Sequence, residues 1–152
     1  MGNFIQAEQY LLEVLGIRRN ILPIYHVKYI SSLNDLGLLY NEIGNYQEAE
    51  NYLLEALRIQ ESSEEVLDVN FSNTLNSLGV FYTNIGDYEM AVKYFSKALK
   101  ILERTENSID EIETLNNLGA IHNELKNYSI SEKYLLRALD ISKRDEILTP
   151  AY

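Results

Sequence analysis

Leu33-Asn34-Asp35-Leu36-Gly37 returns as Leu75-Asn76-Ser77-Leu78-Gly79 and again as Leu115-Asn116-Asn117-Leu118-Gly119, at steps of 42 and 40 residues. Each copy carries the same downstream pattern. The first is followed by Tyr40, Gly44, Tyr46, Ala49, Leu53, Ala56 and Leu57, and the second by Tyr82, Gly86, Tyr88, Ala91, Phe95, Ala98 and Leu99. The third is followed by His122, Lys126, Tyr128, Ser131, Leu135, Ala138 and Leu139. A fixed period of this length belongs to a solenoid, whose units bury their apolar faces only against one another.

Within a unit, Leu33, Leu36, Gly37 and Tyr40 fall on one helical face, and Ala49, Leu53, Ala56 and Leu57 on a second. Gly44 between them suits the left-handed residue that ends a helix. Asn45 then takes the N-cap position, with Glu48 three residues on as in a capping box. Gly86 and Asp87 repeat this, whereas Lys126 stands where glycine is expected, which predicts a looser or differently shaped third turn. Gly37, Gly79 and Gly119 recur inside the first helices. A mid-helix glycine costs about 1 kcal/mol against alanine, so this recurrence predicts close helix crossings opposite Ala49 and Ala91. The segment from Gly2 to Glu13 matches Gly44 to Glu55, so the chain opens at the turn of a unit and Thr149-Pro150-Ala151-Tyr152 resembles a further lead-in. The expected fold is an all-α superhelix of antiparallel helix pairs, right-handed, with seven helices. An orphan second helix lies near 4–19, first helices begin near 28, 70 and 110, and second helices near 46, 88 and 128. The units divide as a half repeat with connector at 1–29, then 30–71, 72–111, and 112–152 with the start of another. The register at both ends suggests a piece of a longer array.

The chain of 152 residues holds 13 basic and 23 acidic side chains, a net charge of −10. Phosphate neutralisation drives most nucleic-acid affinity, so this balance argues against DNA, RNA and anionic membrane surfaces as partners. There is no cysteine, hence no disulfide framework or thiolate chemistry, which fits a cytoplasmic protein. No apolar run approaches the roughly 18–20 residues of a membrane span. Phosphate-loop, dinucleotide, nucleophile-elbow and zinc-protease motifs are all lacking, so no enzyme activity, cofactor or metal is expected.

The pattern Leu-x-x-Leu-Gly-x-x-Tyr, then Gly-x-Tyr, then Ala, Leu or Phe, and Ala resembles the tetratricopeptide repeat. The longer unit and the Leu-Asn-x-Leu core resemble the kinesin light chain subtype. Similar long units also precede caspase-like CHAT proteases and NTPase modules. The departures are His122, Lys126 and Ser131, all in the third unit.

The face of each first helix left over by the Leu/Gly side carries Asn34, Leu38 and Asn41, then Asn76, Val80 and Thr83, then Asn116, Ala120 and Asn123, with Asn84 and Asn117 beside them. A carboxamide both donates and accepts, which suits an extended peptide backbone. The resemblance to kinesin light chains implies that Asn34, Asn41, Asn76, Asn116 and Asn123 hold a cargo peptide. The rival reading is that these amides bond the neighbouring repeat or merely solvate a face. Asp35, Glu42, Glu113 and Glu124 lie near this face without recurring Lys or Arg. The expected partner is therefore a protein or peptide that is neutral or basic rather than acidic. A basic clamp for a C-terminal carboxylate is missing. Tyr10, Tyr52, Tyr94 and Tyr134 form a second ladder, expected in packing, and His122, at a packing tyrosine position, is expected to be a satisfied core histidine. Glu61, Glu64, Glu65 and Asp68 read as a solvated connector.

The expected function is an interaction scaffold that binds a peptide or partner domain in its concave groove. The alternative is a regulatory or sensor segment of a larger enzyme of the protease or NTPase type. No polar cap follows Leu139, which also predicts end-to-end self-association through uncapped repeats.

Overall fold

Alternating helix and turn signals become a chain of antiparallel helix pairs in the computed structural model, which describes residues 2–62, 69–105 and 107–148. The described residues form seven helices: α1 (Gly2–Ile21), α2 (Val27–Glu42), α3 (Tyr46–Ser62), α4 (Val69–Asn84), α5 (Tyr88–Leu102), α6 (Ser108–Glu124) and α7 (Tyr128–Leu148). No strand occurs among them. Pairs α2/α3, α4/α5 and α6/α7 pack internally, each stacks on the next, α1 lies against α2, and α2 also touches α4. The result is an all-α superhelix. The second helices begin at Tyr46, Tyr88 and Tyr128, as the spacing predicts; the first helices begin one or two residues earlier than expected.

The recurring glycines sit where the helices cross. A Cβ on Gly37 would lie 2.6 Å from Leu53, on Gly79 2.6 Å from Phe95, and on Gly119 2.7 Å from Leu135. Only a residue without a side chain lets these large side chains lie across the first helix. Leu53 and Phe95 are consequently fully buried, each such burial stabilising by about 1.5–3 kcal/mol. In the third unit Ser131 replaces alanine and remains compatible: it is buried, and its Oγ donates to the Gly119 carbonyl at 2.7 Å.

All three turns share one hydrogen-bond pattern. The amides of Gly44, Gly86 and Lys126 bond the carbonyls of Asn41, Thr83 and Asn123, and those of Asn45, Asp87 and Asn127 bond Tyr40, Tyr82 and His122. Gly44 and Gly86 have φ of 79° and 81°, and Lys126 adopts 60°. The expectation of a differently shaped third turn is thus corrected. The packed helices on either side impose the geometry, and Lys126 carries the strain. Asn45 and Asp87 accept from the amides of Glu48 and Met90, as caps.

The pairs are tied further by polar contacts. Arg137 on α7 bridges Glu103 at the end of α5 and Glu111 on α6, at 2.6 and 2.5 Å. At the corresponding position of the first unit, the Tyr29 hydroxyl donates to Glu55 at 3.3 Å. No helix among the described residues is long and apolar enough to cross a membrane. Of the acidic connector, Glu61 is exposed, while Glu64, Glu65 and Asp68 lie outside the described residues, as does the lead-in at 149–152.

Candidate partner-binding site

The asparagine ladder divides by position. In the first unit Asn34 is 8% exposed, and its Nδ2 donates to Thr74 Oγ1 of the next unit at 2.8 Å. In the second, Asn76 meets Thr114 Oγ1 at 3.1 Å, and that hydroxyl also lies 2.8 Å from the Asp110 carbonyl. A hydroxyl has one proton. That proton is shared between Asn76 Oδ1 and the Asp110 carbonyl, so Asn76 accepts where Asn34 donates. Asn116, on α6, is exposed. Asn34 and Asn76 therefore stitch repeats together, a correction to their placement as free groove donors. Asn41 is also corrected: it is 5% exposed, and its Oδ1 is buried without a partner.

The hydroxyl column that receives these amides escaped the sequence reading. Ser32, Thr74 and Thr114 each precede the Leu-Asn pair, at the same 42- and 40-residue steps, and all three are fully buried. The signal was present, masked because Ser and Thr are common on helices. In the first unit Ser32 Oγ accepts from Arg18 at 2.6 Å, so α1 uses a guanidinium where later units use an asparagine.

The tyrosine ladder forms stacked ring pairs across each hairpin: Tyr40 on Tyr52 at 5.6 Å, Tyr82 on Tyr94 at 5.4 Å, and His122 on Tyr134 at 5.6 Å. Tyr10, with no first helix of its own unit in this chain, is 69% exposed. The Tyr40 hydroxyl donates to Glu8 at 2.6 Å and Tyr82 to Glu50 at 3.0 Å, each linking a unit to the one before. Burial, then these hydrogen bonds, push both phenols well above the ordinary tyrosine range. In the third unit both partners change together: His122 replaces the tyrosine and Val92 occupies the position of Glu8 and Glu50. His122 Nδ1 is consequently buried without a hydrogen-bond partner, so the expectation of a satisfied histidine holds for its stacking and fails for its hydrogen bonding. His26 instead caps α2 through Nδ1. No group of His, Cys, Asp or Glu among the described residues is arranged to hold a metal.

An open cleft remains where the first helices of the second and third units diverge. It has a volume of about 230 Å³. Val80, Phe95, Ala120 and Ile121 give it an apolar floor, Tyr88 a wall, and Thr83, Asn84, Asn117 and Glu124 a polar rim. Five expected ligand residues (Val80, Thr83, Asn84, Asn117 and Ala120) thus line one cleft. Thr83 spends its proton on the Gly79 carbonyl at 2.8 Å. Leu38 is half-buried one unit earlier, and Asn123 is exposed near the end of α6. The carboxylates Asp35, Glu42, Glu113 and Glu124 all reach solvent; at Asp35 partial desolvation outweighs the nearby Arg18 and raises the pKa.

The sequence that builds these crossings, turns and stacked pairs matches a family profile described as tetratricopeptide repeat, over residues 1–62 and 70–144. The chain belongs to the tetratricopeptide repeat family. Among solved structures, this repeat array is similar to BtubC (BKLC) from P. vanneervenii, with a TM-score of 0.85 and 22% identity over 99% of this chain and 61% of that one. It thus spans about three-fifths of that chain's length. A putative kinesin light chain with nearly identical TPR-like repeats from Podosopora anserina matches with a TM-score of 0.74 and 19% identity, covering 95% and 69% of the two chains. Aspartyl phosphate phosphatase F from Bacillus subtilis matches at 0.78 and 16% identity, covering 92% and 36%. At these identities the likeness concerns the fold. No curated protein matches the sequence.

Proposed function

We propose that this array is a non-catalytic scaffold that binds an extended peptide segment of a partner protein along its concave side, centred on the cleft between α4, α5 and α6. Tetratricopeptide arrays are in general protein–protein interaction scaffolds. The observation that carries the finer reading is the cleft itself: an apolar floor at Val80, Ala120 and Ile121 below the amides of Asn84 and Asn117. Its volume of about 230 Å³ lies below the range of small-molecule sites and suits one or two side chains of a peptide. The Asn84 and Asn117 carboxamides make no hydrogen bond among the described residues and can serve a peptide N–H and C=O at once. Leu38 and Asn123 extend the surface on either side, while Asn34, Asn41 and Asn76 position the helices beneath it. Glu124 at the rim and the net charge of −10 favour a neutral or basic segment. The uncovered apolar side chains of α1 and α7 support end-to-end self-association at high concentration.

The test is selection from a phage-displayed random peptide library, followed by affinity measurement on Ala120→Trp and Asn117→Ala variants. Enriched peptides should pair an apolar residue with a nearby Lys or Arg. They should lose at least about tenfold in affinity on Ala120→Trp, which fills the floor, and about 2–10-fold on Asn117→Ala. Binders that engage Ala120→Trp at full strength, or a library with no enrichment, would refute the groove reading.

A further inference from the structure

The cations of this acidic chain are not spread evenly. Lys93, Lys97, Lys100 and Arg104 follow one another at steps of four, three and four residues along α5 and the turn that ends it, and all four are exposed. At about 100° per residue they fall within about 60° of arc. Ala91, Phe95, Ala98 and Leu102, all buried, occupy the opposite side. α5 is an interior helix with α4 and α6 packed on it, and this outer face stays open. None of the four cations enters an ion pair among the described residues, whereas Arg137 and Arg144 on α7 are both paired. Glu89, one turn before Lys93, makes no ion pair with it, and Glu103 is held by Arg137. Like charges three or four residues apart destabilise a helix, and this row sets its neighbours at that spacing without compensation. The repeat does not demand them: the same positions carry Asn51, Glu55, Arg58 and Ser62 on α3, and Lys133, Arg137, Asp140 and Arg144 on α7.

We propose that the outer face of α5 is a docking surface for an acidic helix of a partner protein, which lies along it and sets a row of Asp or Glu against Lys93, Lys97, Lys100 and Arg104. Successive cations are about 4.5–6 Å apart along the axis, a step that a row of carboxylates on a second helix reproduces. An extended chain repeats its side chains on one face at about 6.8 Å and drifts out of register along the row. A long nucleic-acid strand or an anionic bilayer is the poorer occupant. Apart from these four, the chain holds nine of its 13 basic side chains against 23 acidic ones, a field that repels any anion reaching past the stripe. The face points away from the concave cleft, which α5 lines with Tyr88 and Phe95, so this proposal and the groove reading fail independently.

The probe is a dye-labelled alanine-based peptide with four glutamates at the same four-three-four spacing, stapled across its opposite face so that it is helical by itself. Anisotropy titrations on the whole protein at low ionic strength should show saturable binding that weakens steeply with added salt. Lys97→Glu with Lys100→Glu should weaken it at least about tenfold, and Lys97→Gln with Lys100→Gln about 2–10-fold. Arg19→Glu with Lys28→Glu makes the same change in net charge away from the stripe and should cost less than about twofold. Ala120→Trp should leave the probe's affinity unchanged. Circular dichroism melts should show both stripe variants at least as stable as the parent, because each relieves like-charge pairs, which separates lost docking from lost folding. Equal losses from Arg19→Glu with Lys28→Glu would overturn the proposal, as would equal binding of a peptide whose glutamates are spread around the helix. So would failure to saturate at millimolar peptide, or tighter binding of single-stranded RNA or of vesicles of phosphatidylcholine and phosphatidylserine.

Discussion

Adding one methyl group at Gly79 tests the packing argument most directly. A Cβ there would stand 2.6 Å from Phe95 Cε1 and 2.7 Å from Cδ1 and Cζ, against an ordinary contact of about 3.4 Å or more. The ring would have to retreat by roughly 0.8 Å. Phe95 is 1% exposed and sits in the main core cluster, so a retreat toward the cleft that it also lines would give up core packing. Overpacking of this kind costs about 1–3 kcal/mol. Replacing a mid-helix glycine by alanine returns about 1 kcal/mol of helix propensity. The net expectation for Gly79→Ala is therefore a loss of up to about 2 kcal/mol. Gly16 is an internal control: it lies within α1, and a Cβ there meets nothing within 4 Å. Gly16→Ala should gain about 1 kcal/mol, since only propensity changes. Chemical denaturation followed by circular dichroism measures both. The double variant Gly79→Ala with Phe95→Ala should be less destabilised than the sum of the singles, because the space left by the ring admits the methyl group. Stabilisation by Gly79→Ala equal to that of Gly16→Ala would refute the crossing argument, as would strict additivity with Phe95→Ala.

Other consequences concern the repeat contacts, the turns and pH. Asn34→Ala strands the buried Thr74 hydroxyl and should cost about 1–3 kcal/mol, while Asn116→Ala should stay within about 0.5 kcal/mol; thermal melts showing equal effects would exclude inter-repeat stitching. Lys126→Gly relieves a left-handed backbone at φ 60° and should raise stability by about 1 kcal/mol, read as an increased Tm; an unchanged or lower Tm would show that the turn is unstrained. Tyr40 and Tyr82 keep their protons in the folded chain at pH values where the unfolded chain has lost them. Their contribution is thus intact below the ordinary pKa of 10.0 and falls as pH rises above it, by up to about 1.4 kcal/mol per pH unit for each. Tyr40→Phe with Tyr82→Phe should flatten that alkaline decline in urea titrations at pH 9 to 11; an unaltered slope would assign the decline to other groups.

Much of the architecture is legible in single residues because its requirements are local. Gly44 and Gly86 mark left-handed turn positions, and the Leu-Asn-x-Leu-Gly phrase marks the inward side of each first helix, since a backbone conformation or a close crossing admits few residue types. The repeat period then carries those local rules through the whole chain. What each asparagine does is a different kind of fact. A carboxamide at one repeat position can face a ligand, water or the next helix, and only the offset between successive hairpins decides which. That offset brings Thr74 to Asn34 and Thr114 to Asn76, turning two members of the expected binding ladder into an interlock. It leaves Asn84 and Asn117 at the rim of the cleft. Lys126 makes the same point for backbone: glycine is its intrinsic preference, yet the packing of α6 against α7 holds it left-handed. Identity along the chain thus determined the repeat, its turns and its crossings. The choice between contact and exposure at one polar position was decided only by the stacking of units, because it depends on residues about 40 positions away that meet through the superhelix.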